Sequence, residues 1–143
     1  MQVLELLLGA NANVNKANEE GNTPLMVAVE YQRFACVQRL IEAGAAVSAR
    51  SHFGDTLLHM VVYGGDEELV ETLLQAGCDV DPRNNEGSTP LMLVASSSSS
   101  GVIKLLLEAG ANTSMVDRRG GRTALEIAME YGREEEVIAL LRE

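Results

Sequence analysis

One period, 33 residues long, constrains this chain more than any other feature. The run Gly21-Asn22-Thr23-Pro24-Leu25 returns as Gly54-Asp55-Thr56-Leu57-Leu58 and as Gly87-Ser88-Thr89-Pro90-Leu91. It returns once more, altered, as Gly121-Arg122-Thr123-Ala124-Leu125. A second phrase moves in step with the first: Leu40-Ile41-Glu42-Ala43-Gly44, Leu73-Leu74-Gln75-Ala76-Gly77 and Leu106-Leu107-Glu108-Ala109-Gly110. Gly44, Gly77 and Gly110 are spaced by 33, as are Gly21, Gly54 and Gly87. Two phrases holding one period describe an array of like structural units.

Each unit has a physical reading. Thr followed by Pro is a helix start, with the hydroxyl at the N-cap and Pro at the first helical position, where its missing N–H costs nothing. The spacing predicts a short helix from Pro24 to about Tyr31, with Leu25 and Ala28 buried. A second helix is predicted from about Phe34 to Ala43, its apolar stripe formed by Cys36, Val37, Leu40 and Ile41. Gly44 then supplies the left-handed residue that ends it. A stretch rich in Asn, Asp, Ser and Gly leads to the next Thr. Neither helix can bury its apolar face alone, so the units must stack.

Composition agrees and excludes several functions. Apolar residues make up 46% of the chain, enough for a core, while aromatics are only 3% and Trp is absent. The core must therefore be aliphatic. A formal net charge of −10 repels phosphate backbones and anionic headgroups, which argues against nucleic acid and membrane as partners. No apolar run approaches the roughly 18 residues of a membrane span. The start, Met1-Gln2-Val3-Leu4-Glu5, lacks the basic region of a secretory signal. Two cysteines, Cys36 and Cys78, are too few for a disulfide framework and suit a reducing, intracellular compartment.

These phrases resemble the ankyrin repeat, whose pattern runs Asp-x-x-Gly-x-Thr-Pro-Leu-His-x-Ala-Ala-x-x-Gly and closes a second helix with Leu-Leu-x-x-Gly-Ala. Residues 51–83 carry it best, through Gly54, Thr56, Leu58, His59, Gly65, Leu73, Leu74 and Gly77. The resemblance implies an all-α solenoid of stacked helix-turn-helix units with hairpin-loop fingers, forming one domain over 1–143. Residues 1–15 read as the second helix of a preceding repeat, and 16–50, 51–83, 84–116 and 117–143 as four repeats. Beginning and ending inside a repeat, the chain looks like a piece of a longer array or a domain capped by other segments.

Departures from the pattern are local. The segment from Gly9 to Gly21 is longer by two than that from Gly44 to Gly54, and the segment from Gly110 to Gly121 by one. Both are expected at finger tips, where extra length is cheap. The inter-helix glycine persists as Gly65 and Gly132 but is replaced by Gln32 and Ser98. If φ stays positive there, each replacement costs about 1 kcal/mol. The run Ser96 to Ser100 can be a weak turn, a phosphorylation cluster or simple drift in an exposed turn.

Catalysis finds little support. By the resemblance, His59 is a structural residue that ties Thr56 to the backbone of the next repeat. The equivalent positions hold Met26, Met92 and Glu126, so there is no histidine row. Cys36 and Cys78 read as small hydrophobes, and their spacing with His52 and His59 fits no zinc template. Gly64-Gly65 and Gly120-Gly121 lack the strand and Lys of a phosphate loop. The clusters at 66–68 and 134–136 fall where carboxylates favour a helix start. We expect no enzyme, cofactor or metal.

The resemblance implies instead a protein or peptide partner, bound by a domain that is itself monomeric. Its binding face consists of the finger tips and the exposed side of the first helices. The matching positions include Glu19, Glu20, His52, Phe53, Asp55, Glu86, Arg118, Arg119 and Arg122 on fingers, and Glu30, Tyr31, Tyr63 and Tyr131 on first helices. Of the five aromatic residues only Phe34 falls elsewhere. Interfaces favour Tyr and Arg as anchors. Charge grades along this face from acidic Glu19, Glu20 and Glu30 to basic Arg118, Arg119 and Arg122, which would orient a bound segment with its basic part toward the N-terminal repeats. Two functions fit: an interaction module serving as scaffold or adaptor, or a recruiting or autoinhibitory module of a larger enzyme such as a ubiquitin ligase or kinase.

Overall fold

Each Thr of the repeated phrase starts a helix. In the computed structural model, which describes residues 13–97 and 99–142, Thr23, Thr56, Thr89 and Thr123 all hold extended N-cap backbone. They open α1 (Pro24–Glu30), α3 (Leu57–Gly64), α5 (Pro90–Ala95) and α7 (Ala124–Glu130). The Thr23, Thr89 and Thr123 hydroxyls each accept the N–H three residues on, at 3.3 Å. The second helices are α2 (Phe34–Glu42), α4 (Glu67–Gln75), α6 (Ser100–Glu108) and α8 (Glu135–Arg142). Asp66 caps α4 by accepting from Leu69 N–H at 3.1 Å, with Glu67 and Glu68 behind it at the positive end of the helix.

The packing is that of a stack. Helices α1, α3, α5 and α7 lie side by side in one layer, α4, α6 and α8 in a second, and α2 packs on α1. Among the described residues there are eight helices and no strand, only an isolated antiparallel bridge between Arg50 and Thr56. The fold is all-α. Its hydrophobic core is aliphatic, with Leu57, Leu58, Leu69, Leu73, Leu91, Val102, Ile103 and Leu106 fully buried. Each such side chain contributes about 1.5–3 kcal/mol by leaving water. The second-helix stripe is narrower than expected in α2: Val37 and Leu40 are buried, while Cys36 and Ile41 flank them half-buried. A helix sampled every 100° has one central row, and those two residues lie beside it.

Turns follow the glycine pattern. Gly77 takes φ 89°, and paired bonds from Cys78 N–H to Leu73 O (3.2 Å) and from Gly77 N–H to Leu74 O (3.1 Å) close α4 in a Schellman motif. The same pair of bonds ends α2 and α6. Between α1 and α2 the expected strain is present: Gln32 holds φ 53°, a positive value otherwise confined here to glycine among the described residues. Ser98, its counterpart, lies outside the described residues, as does most of the half-repeat expected over residues 1–15. The serine run has a structural use. Ser96 and Ser97 hydroxyls donate to Leu93 O and Val94 O at 2.7 and 2.8 Å, satisfying carbonyls at the end of α5.

Candidate functional site

The fingers are built by one residue per unit. Asn18, Ser51, Asn84 and Asp117 stand 33 residues apart. Each accepts two backbone N–H groups of its own tip through one side-chain oxygen, at 2.9–3.3 Å. In the last finger the acceptor bonds reach one residue further, to Arg122 rather than to the fourth residue on, so the single-residue insertion is absorbed at the tip between Asp117 and Gly121. Sequence reading missed this position because its residue type varies. The shared property, a short acceptor side chain at a fixed period, was the available signal.

Neighbouring fingers are joined by polar bonds in the same register. Asn85 N–H donates to Phe53 O at 3.0 Å and Arg118 N–H to Glu86 O at 3.1 Å. Asn85 Nδ2 donates to His52 O, Arg50 to Arg83 O and Arg83 to Val116 O, at 2.7–3.0 Å. Beneath them lies His59, fully buried. Its Nδ1 accepts from Thr56 N–H (3.1 Å) and lies 3.0 Å from the Thr56 hydroxyl, and its Nε2 lies 2.8 Å from Ser88 O. These partners place the proton on Nε2. Burial lowers the His59 pKa, the Ser88 carbonyl and Asp55 opposing, so the ring is neutral at pH 7. It links one repeat to the next, as the resemblance implied.

The expected face residues are brought to the surface, though not to one place. Tyr31, Phe53, Tyr63 and Tyr131 are 66%, 75%, 66% and 54% exposed, whereas Phe34 packs against the core. Phe53 and Tyr63 share a groove of about 490 Å³ between α1, α3 and the second finger, lined also by Glu30, Asp55, Met60 and Asp66. Tyr31 faces a different groove of about 620 Å³, lined also by Lys16, Pro24, Val27 and Cys36. Tyr131 lies at the far end, with the Arg133 guanidinium 6.0 Å over its ring. Glu19, Glu20, His52, Glu86, Arg118 and Arg119 are exposed on finger tips, and Glu30 is exposed at the end of α1. Asp55 is half-buried and accepts from Asn84 Nδ2 at 2.9 Å. Partial burial raises the Tyr63 phenol pKa, with the negative charges of Asp55 and Glu86 adding to it and Arg119 opposing.

The basic pole read from the sequence needs correction. Arg119 pairs with Glu86, and Arg122 pairs with both Asp117 and Glu130. Much of the positive charge at this end is therefore balanced within the chain. Asp117 is the fixed point. Burial alone would raise its pKa, but the N–H groups of Arg122 and Gly120 and the Arg122 guanidinium outweigh that and hold it at about 2. The acidic groove differs, for its lining contains no Lys or Arg.

His59 has both ring nitrogens engaged, and burial pushes the Cys78 thiol up to about 11, with Asp79 adding to the shift. The two cysteines form no disulfide. Among the described residues no cluster of His, Cys, Asp and Glu could hold a metal ion, and no helix is long and apolar enough to cross a membrane.

Comparison with curated proteins finds no match. Comparison with protein families finds one, described as ankyrin repeats (3 copies), over residues 1–84 and 58–143. Repeats of this family generally mediate protein–protein interaction and are typically non-catalytic. With both matched spans, four Thr-led helix starts and a 33-residue register of finger bonds, the chain belongs to the ankyrin repeat family.

Proposed function

We propose that this chain is a non-catalytic interaction module, a scaffold or adaptor, that takes a protein or peptide segment along the concave face made by its fingers and first helices. The observation that carries the reading is the shared groove of Phe53 and Tyr63. Two large rings stand mostly in water in a chain with only five aromatics, of which Phe34 alone packs against the core. Such rings offer wide contact area for little lost rotamer freedom, and Tyr tolerates being wet before binding. The finger that carries Phe53 is held through its backbone by bonds to the next finger, so the backbone under the anchor is pre-organised and ordering it costs little on association. The thiol content and the acidic surface suit an intracellular partner.

Affinity capture tests the reading, using the wild-type chain beside a Phe53→Ala, Tyr63→Ala variant, with bound proteins identified by mass spectrometry. Partners held by wild type should be lost from the variant, while Glu135→Lys on the second-helix side retains them. Partners retained by the double variant and lost with Glu135→Lys would move the site to the back of the array.

A further inference from the structure

We propose that the groove between α1 and α3 seats a cationic side chain, arginine or lysine, from an extended basic peptide segment. Glu30, Asp55 and Asp66 supply the balancing charge, and Phe53 and Tyr63 supply the aromatic walls. This rests on the proposed binding face and names the class of partner that the face takes.

Three observations converge on it. The groove, about 490 Å³, is the size of a pocket for one or two side chains, and its lining holds three carboxylate residues and no cation. Asp55 and Asp66 are already oriented, each by a hydrogen bond on one oxygen, from Asn84 Nδ2 and from Leu69 N–H. Glu30 stands exposed at the groove's edge and has no ion-pair partner among the described residues.

The rings complete the seat, because a guanidinium or ammonium is drawn to an aromatic face as well as to carboxylates. The chain itself makes this pairing elsewhere. At the opposite end Arg133 lies over Tyr131, and there the arginine comes from within. At Phe53 and Tyr63 the rings and carboxylates line a groove with no Lys or Arg in it, and the nearby Arg119, whose charge reaches Tyr63, is paired with Glu86. A net charge of −10 adds long-range attraction for a basic segment and repels an acidic one. With Arg119 and Arg122 paired to their own carboxylates, the acidic groove becomes a charged feature that can orient the ligand.

The test begins with a phage-displayed library of random dodecapeptides selected on the whole 143-residue chain. The best peptide is then titrated by fluorescence polarisation. Selected sequences should share an Arg or Lys. Replacing that residue by norleucine should weaken binding by about tenfold or more, as should Glu30→Arg, and affinity should fall as salt rises. Glu30→Gln keeps the side-chain shape and should lose less than Glu30→Arg. Peptides without a basic residue that are nonetheless lost in Phe53→Ala would overturn the cationic seat and leave the binding face standing. Peptides that bind Phe53→Ala and Tyr63→Ala at full strength would overturn both. Selection of no peptide would also overturn the cationic seat, with the capture experiment still deciding the face.

Discussion

The joining of one finger to the next can be tested by a single methyl group. Gly54 has φ 75° and Gly77 φ 89°, so alanine at either place meets the same backbone penalty, about 1 kcal/mol. Their surroundings differ. A Cβ on Gly77 would have no atom within 4 Å, whereas on Gly54 it would collide with Asn85 Oδ1 and lie 2.9 Å from the Asn85 nitrogen. Asn85 must then move, and it makes two inter-finger bonds at 3.0 Å, to Phe53 O and His52 O. Losing both adds roughly 2 kcal/mol. Gly54→Ala should therefore cost about 3 kcal/mol against about 1 for Gly77→Ala in urea denaturation followed by circular dichroism. Gly54→Ala should also weaken partner binding, because Phe53 is its neighbour, whereas Gly77→Ala should not. Equal costs for the two alanines would refute the claim that finger contacts stabilise the array.

Other outcomes follow from the same geometry. Gln32→Gly should raise stability by up to about 1 kcal/mol in the same assay by removing a side chain from φ 53°. Asp117→Asn keeps the acceptor used at Asn18 and Asn84 and should cost about 1 kcal/mol, while Asp117→Ala should cost clearly more by orphaning the finger N–H groups. Because the Asp117 pKa is depressed from 3.8 to about 2, its contribution is present in full above pH 4 and fades as pH falls toward about 2, a loss that Asp117→Asn should not show. His59 also has a lowered pKa, so the unfolded chain binds the extra proton first. Its contribution is complete above about pH 6.5 and decreases as acid drives the buried ring toward protonation, which a pH series of melts on wild type and His59→Gln would reveal.

Much of the fold was legible because the repeated phrases encode purely local events. Thr at an N-cap, Pro behind it and a closing glycine act within one turn of helix, and α1, α3, α5 and α7 start where the Thr residues stand. Gln32 was legible for the same reason, since a side chain in a glycine position must meet the φ of that turn. The proposed binding face was legible only in part. The exposure of Phe53 and Tyr63 followed from their positions in the repeat, but Tyr31 and Tyr131 border other surroundings, which depends on packing between units. The basic pole was misread because Arg122 meets Asp117 and Glu130 across a folded loop, at separations of 5 and 8 residues that no helical spacing would suggest. The Arg50 and Arg83 bonds to the next finger were hidden likewise, spanning 33 residues.

Amide hydrogen exchange reads directly which surface a partner covers. The measurement compares the chain alone with the chain saturated by a captured partner. Protection should concentrate on residues 51–55 of the second finger and on the end of α3 around Tyr63, with α6 and α8 exchanging as they do in the free chain. Protection confined to α6 and α8, with the second finger and α3 unchanged, would contradict the assignment of the binding face.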